Sequence, residues 1–333
     1  MRVADDGPVT IPAGTEFGPA PANVRAVLRV GNEYFLRSID NIVAAHHNDL
    51  IAGLIYTALW LGNVRHITHS AANTKFGALD SLPPDELRVP VSVQTLSNTL
   101  RMPYETVRRY VQAMIASGIC VRFGKRGLIV PAAVHNQPQR RRLFQESFPN
   151  LLRFLDDLKE VGFDFSPYAQ ILPNTVALRP SGEVPANVRA LLRASTELIM
   201  RGVDLVGRLS DNDFLRGMIT ATIWTANVRH ITCSGDNLKY GGIHQLPPDA
   251  LRKPVTINAV ALSLRVPYET TRRYVGALVR DGIAQRIEGE GVIIPGAQFI
   301  RPEYYQAARE SYGNIVQTVA DLHRAGFDFR KYR

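Results

Sequence analysis

The sequence predicts a mainly α-helical fold with small β-hairpin wings, assembled from one unit written twice. Three observations lead there. PANVRAVLR from Pro21 returns as PANVRALLR from Pro185, NVRHIT from Asn63 returns from Asn227, and RMPYETVRRYV from Arg101 returns as RVPYETTRRYV from Arg265, every pair offset by 164 residues. Within each copy apolar side chains recur at helical spacing. After the last short helix of each copy, two β-prone runs flank a Gly-containing turn, the signature of a hairpin.

The match runs from Gly18 to Phe165 and from Gly182 to Phe329 without insertion or deletion. It divides the chain into an N-terminal extension (1–17), repeat one (18–165), a linker with Pro and Gly punctuation (166–181) and repeat two (182–333). The period is far too long for a solenoid of stacked units. Two whole domains are expected, either packed about an internal pseudo-two-fold axis or standing as independent beads.

In repeat one, Glu33 to Ala45 reads as a helix. Asn48-Asp49 then supplies an N-cap for a second helix to about His66 that is apolar nearly all round, so Leu50, Leu54, Trp60 and Leu61 read as core, as do Phe214, Met218 and Trp224 in repeat two. Ser92, or Thr256 in repeat two, caps a short helix carrying Val93, Leu96 and Leu100. Arg101-Met102-Pro103 makes a turn, with Pro103 where a helix start tolerates it. The helix from Tyr104 to about Ser117 buries Val107, Val111, Met114 and Ile115 and turns Glu105, Arg108, Arg109 and Gln112 outward. Gly118 ends it, the hairpin follows in CVRFGKRGLIVP, and Arg140 to Val161 reads as a closing helix able to pack across the copies.

Of the 333 residues, 45% are hydrophobic and 21% charged, an ordinary globular balance, while the net charge of +9 calls for an anionic partner: nucleic acid, an acidic protein or a membrane surface. Cys120 and Cys233 have Ala284 and His69 as counterparts, so no disulfide framework is expected. The first residues lack the apolar stretch of a secretion signal, and the longest apolar run, Leu50 to Val64, is short for a bilayer span. A soluble, cytoplasmic protein with no membrane partner is the expectation.

Between Val91 and Pro131, and again between Val255 and Pro295, the pattern of short helix, turn, TVR-type helix and hairpin resembles bacterial winged helix-turn-helix transcription regulators of the broad MarR, GntR and IclR kind. The resemblance implies two tandem winged helix-turn-helix domains. It also implies that the start and exposed face of the second helix meet double-stranded DNA, which maps onto Tyr104, Glu105, Thr106, Arg108 and Arg109, and onto Tyr268, Glu269, Thr270, Arg272 and Arg273. Pro103 and Pro267 stand where those families often carry a capping Ser, and no separate effector domain of the GntR type is visible.

These residue types suit the duplex. An α-helix fits the major groove, where Arg donates two hydrogen bonds to guanine and Glu accepts from cytosine, while Tyr and Thr donate to phosphate near the helix N-terminus. Arg108 and Arg272 are assigned to bases, Arg109 and Arg273 to phosphates. The first wing adds Arg122, Lys125 and Arg126, the second Arg286. From Arg101 to Arg126 there are six basic residues and one acid, net +5, against five and four, net +1, from Arg265 to Glu290. Repeat one is therefore expected to carry more of the phosphate attraction.

Asn63, Arg65 and His66, repeated as Asn227, Arg229 and His230, read as favourable helix-end charges or as a site for an anionic ligand or the DNA backbone. His46-His47 reads as surface or capping, not metal-binding. No nucleophile motif, phosphate-cradling loop, zinc spacing or repeated carboxylate pair appears, so neither catalysis, a cofactor nor a metal is expected. A small-molecule effector stays open, as does assembly as a monomer that is an internal pseudo-dimer or as a homodimer. A replication initiator with tandem winged helices and a winged protein-interaction module are the competing functions.

Overall fold

The computed structural model describes residues 21–70, 72–124, 127–178, 183–232, 234 and 238–333. The N-terminal extension 1–17, Lys125, Arg126 and Cys233 lie outside the described residues. In repeat one the elements are α1 (Val24–Ala44), α2 (Leu50–Thr68), the one-turn α3 (Ala72–Lys75), α4 (Val93–Leu100), α5 (Tyr104–Ala116), β1 (Val121–Phe123), β2 (Gly127–Ile129), the one-turn α6 (Ala132–His135) and α7 (Pro138–Glu160). Repeat two follows with α8 (Val188–Arg208), α9 (Phe214–Thr232), α10 (Ile257–Leu264), α11 (Tyr268–Arg280), β3 (Gln285–Ile287), β4 (Gly291–Ile293) and α12 (Pro302–Arg324).

Local chemistry sets most boundaries. Asp49 caps α2 by accepting from the Ala52 N–H at 3.0 Å, and Ser92 and Thr256 cap α4 and α10 by accepting from Thr95 and Ala259. Each hairpin pairs antiparallel, Val121 opposite Ile129 and Gln285 opposite Ile293. A single residue from upstream, Val91 or Val255, bridges the inner strand at Leu128 or Val292 and ties the hairpin to the start of α4 or α10. The fold is thus mainly helical with two small antiparallel hairpins.

Helix α1 begins at Val24, well before the expected Glu33. Its first turns contain Arg25, Arg29 and Gly31, a poor amphipathic pattern by sequence, and they are helical because both arginines are buried against the other repeat. Helix α2 is long and apolar enough to cross a bilayer, but 72% of its apolar window is buried in the fold, which makes it a core helix.

One hydrophobic core holds both repeats: Val27, Tyr34, Leu54 and Leu155 belong to the same buried cluster as Leu191, Val203, Ile219 and Val319. The linker divides the chain by sequence, yet packing crosses it. Helix α1 packs on α7 of its own repeat and on α9 and α12 of the other, and α8 does the reverse with α12, α2 and α7. The linker lies against the end of α12, where Val176 pairs with Phe327 and Asn174 donates to the Arg324 carbonyl at 2.9 Å.

The contacts between repeats are reciprocal, the pattern an isologous interface makes. Arg25 Nε donates to the Ile243 carbonyl at 2.5 Å, and Arg189 Nε to the Leu79 carbonyl at 2.6 Å. Arg29 Nη1 donates to Tyr240 and Arg193 Nη1 to Phe76, both at 2.7 Å. The backbone N–H groups of Arg25 and Arg189 bond the carbonyls of Gly241 and Gly77. Each pair repeats at the same sequence offset, so the loop after α2 or α9 embraces the opposite long helix.

His47 is exposed, but His46 is buried: its Nδ1 lies 2.7 Å from the Ile42 carbonyl in the last turn of α1, a capping contact, and its ring packs on Tyr56.

Candidate nucleic-acid interface

Helix α5 is held from behind by Val107, Val111 and Met114, and α11 by Thr271, Val275 and Leu278. Ile115 is only half-buried at the rim. Anchoring one face that firmly leaves the other in solvent. Tyr104, Glu105, Arg108 and Arg109 are exposed, as are Tyr268, Glu269, Arg272 and Arg273, while Thr106 and Thr270 are half-buried at the first turn.

The two exposed faces share one electrostatic arrangement. Arg108 Nε donates to Glu105 Oε2 at 2.7 Å, and Arg272 Nε to Glu269 Oε2 at 2.8 Å. The Glu105 and Glu269 carboxylates therefore orient the guanidinium one turn along. Arg109 and Arg273 lie over the rings of Tyr110 and Tyr274, 5.7 Å from each centroid. Burial and then the carboxylates of Asp49 and Asp213 raise the two tyrosine hydroxyls above their ordinary range, so these tyrosines lean on the caps of α2 and α9 and stay out of the exposed set.

The turns before these helices are pinned to the opposite repeat. Arg101 and Arg265 both adopt the left-handed backbone region, each at φ 53°, where a non-glycine residue needs support from its surroundings. Arg101 Nε contacts Asp204 Oδ1 at 2.9 Å, and Arg265 Nη2 contacts Asp40 Oδ1 at 2.9 Å. Arg101 also reaches Asn212, and Arg265 reaches Asn48. Both arginines therefore belong to the joint between the repeats and not to the basic face of α5 and α11.

The hairpins bring Arg122 and Arg286 to solvent, opposite Leu128 and Val292. Pattern reading missed Val121 and Phe123, which remain 37% and 38% exposed on the first hairpin, and Leu262, 69% exposed on α10. Every residue of β1 is exposed, so alternation carries no inside face to read.

The second candidate group separates. Asn63 and Asn227 are fully buried: each side chain donates to two carbonyls, Val89 and Leu128 or Lys253 and Val292, and accepts from the N–H of Val130 or Ile294. Two of the bonds fasten α2 or α9 to the inner strand of the hairpin and its exit, and the third to the segment that leads into α4 or α10, so both amide hydrogens are used inside the fold. Arg65 serves the joint, with Nε 3.7 Å from the buried Glu197, which also meets His69 and Arg201. Arg229 acts electrostatically on the counterpart Glu33, whose carboxyl is pushed up by burial first. His66 is exposed and His230 half-buried.

Among the described residues, no group of three or more His, Cys, Asp or Glu is placed to hold a metal ion. Comparison with protein-family models, curated proteins and solved structures returned no match.

Proposed function

We propose that the chain is a sequence-specific double-stranded DNA-binding regulator whose halves are tandem winged helix-turn-helix units, acting in one chain as a dimer acts with two. One observation carries this reading: in both repeats a short capped helix, a turn and a second helix present the same exposed Tyr-Glu and Arg-Arg set around a half-buried Thr, beside a hairpin bearing a further exposed arginine. Groove-facing helices need this combination of a buried back and a free basic front. The reciprocal Arg101–Asp204 and Arg265–Asp40 contacts support a fixed relation between the reading heads. The reading goes with a cytoplasmic protein and asks for no catalytic group.

The test is selection of bound sequences from a random duplex pool, followed by Arg108→Ala/Arg272→Ala. A split motif is expected, one half per repeat, with affinity for it falling at least tenfold in the double variant. Recovery of no motif, with unchanged affinity in the variant, would instead favour a protein-interaction module. The exposed Val121 and Phe123 support that second reading.

A further inference from the structure

Two cavities occupy the same place in the two repeats. Every residue lining the smaller, about 60 Å³, has its counterpart 164 positions away on the wall of the larger, about 210 Å³. Where the smaller is walled by Tyr56, Leu143 and Phe144, the larger has Thr220, Ala307 and Ala308, and Ser38 is answered by Gly202. The same frame is narrowed in one repeat and wide in the other. Unfilled apolar space lowers stability in proportion to its volume, so small residues converging on one cavity from α8, α9 and α12 call for an occupant.

The larger cavity lies where α1 of repeat one crosses α8, α9 and α12. Arg25, Arg29 and Arg252 line it, and among the described residues on its wall there is no Asp or Glu. Arg25 donates to the carbonyls of Ile243 and Phe299; Arg252 Nε donates to Asp249 at 2.8 Å and Nη2 to the Pro247 carbonyl, while Nη1, over the Phe299 ring, is buried and lacks a hydrogen-bond partner. Arg88, the counterpart of Arg252, has the same unpartnered atom but does not line the smaller cavity. Phe35, Leu198 and Trp224 supply apolar wall, and Asn32, Ser311 and Asn314 are among its neutral polar groups.

We propose that this cavity binds a small amphipathic anion, an aromatic or branched aliphatic carboxylate of roughly a dozen non-hydrogen atoms, with the carboxylate at Arg25 and Arg252 and the apolar body against Phe35, Leu198 and Trp224. Burial pushes the Arg25 guanidinium down to about 10, which leaves it charged and poorly solvated near neutral pH, and an anion relieves that cost. The site stands on its own geometry. Only its consequence, that an occupant beside α1 bears on the spacing of α5 and α11, rests on the DNA-binding reading.

The test uses the full chain, 1-naphthoate as probe, and 1-naphthalenemethanol as its uncharged counterpart, in calorimetric titrations backed by tryptophan emission. One saturable naphthoate site is expected, with the alcohol at least tenfold weaker. Ala307→Leu/Ala308→Phe, which copies the residues that the same frame carries at 143 and 144, is expected to weaken naphthoate at least tenfold while keeping a cooperative melt. If that variant does not fold, Thr220→Tyr, copied from Tyr56, meets the same demand. Absence of saturable naphthoate binding, equal binding of the alcohol, or unchanged affinity in the filled variant overturns the proposal. None of these readouts involves DNA, so its failure is separate from failure of the regulator reading.

Discussion

Arg193 crosses the repeat boundary to Asn73, its Nη2 donating to the side-chain Oδ1 at 2.6 Å and to the backbone carbonyl at 3.2 Å. With Nη1 held by Phe76, the guanidinium closes the loop after α2 onto α8. Burial pushes it down to about 10, so backbone oxygens carry a charge that water would otherwise solvate. Arg193→Ala strips three acceptors of their donor and is expected to cost roughly 3 kcal/mol or more. Urea denaturation measures it, and a change below about 1 kcal/mol would show that the joint is not held this way.

Asn63→Ala and Asn227→Ala separate a structural role from a ligand-binding one. Each removes three hydrogen bonds that tie a core helix to its hairpin and to the segment before α4 or α10, and is expected to lower stability by about 2–4 kcal/mol. Affinity for selected DNA, measured on the folded fraction, should change little. A tenfold loss of affinity with an unchanged melting temperature would return these residues to the candidate site.

Cys120 is fully buried, and burial pushes its thiol from 9.0 up to about 11. The unfolded chain releases this proton first, so the contribution to stability is complete below about pH 9 and declines as the pH rises toward 11. In a Cys233→Ser background, a thiol reagent at pH 8 is expected to react with Cys120 only as fast as the protein opens. Labelling at the rate of a free thiol would contradict the burial.

The wings differ in charge, and DNA binding should report it. Neutralising Arg122, Lys125 and Arg126 together is expected to flatten the dependence of affinity on salt by up to about three phosphate contacts, and Arg286→Ala by about one. Equal slopes for the two variants would reject unequal duty between repeats.

Much of this architecture was legible in residues. Capping side chains at Asp49, Ser92 and Thr256, the i,i+3 and i,i+4 spacing of Val107, Val111 and Met114, and the Gly-containing turns are local signals read within one or two turns of chain. The start of α1 was not, because Arg25 and Arg29 look like surface charges until the loop that accepts them is folded alongside. Asn63 and Asn227 misled for the same reason: a polar residue at a helix end shows its chemistry but not its acceptors, here 26 and 65 residues downstream.

By itself, the sequence determined that one unit occurs twice, where the capped helices and the hairpins lie and which face of α5 and α11 is apolar, since these depend on neighbours within a few residues. Only the tertiary structure decided that the repeats share a single core, that Arg101 and Arg265 belong to their joint, and that one of two equivalent cavities stays open. Those outcomes depend on partners more than a hundred residues apart, and the repeat pattern constrains which residues are alike without saying which of them meet.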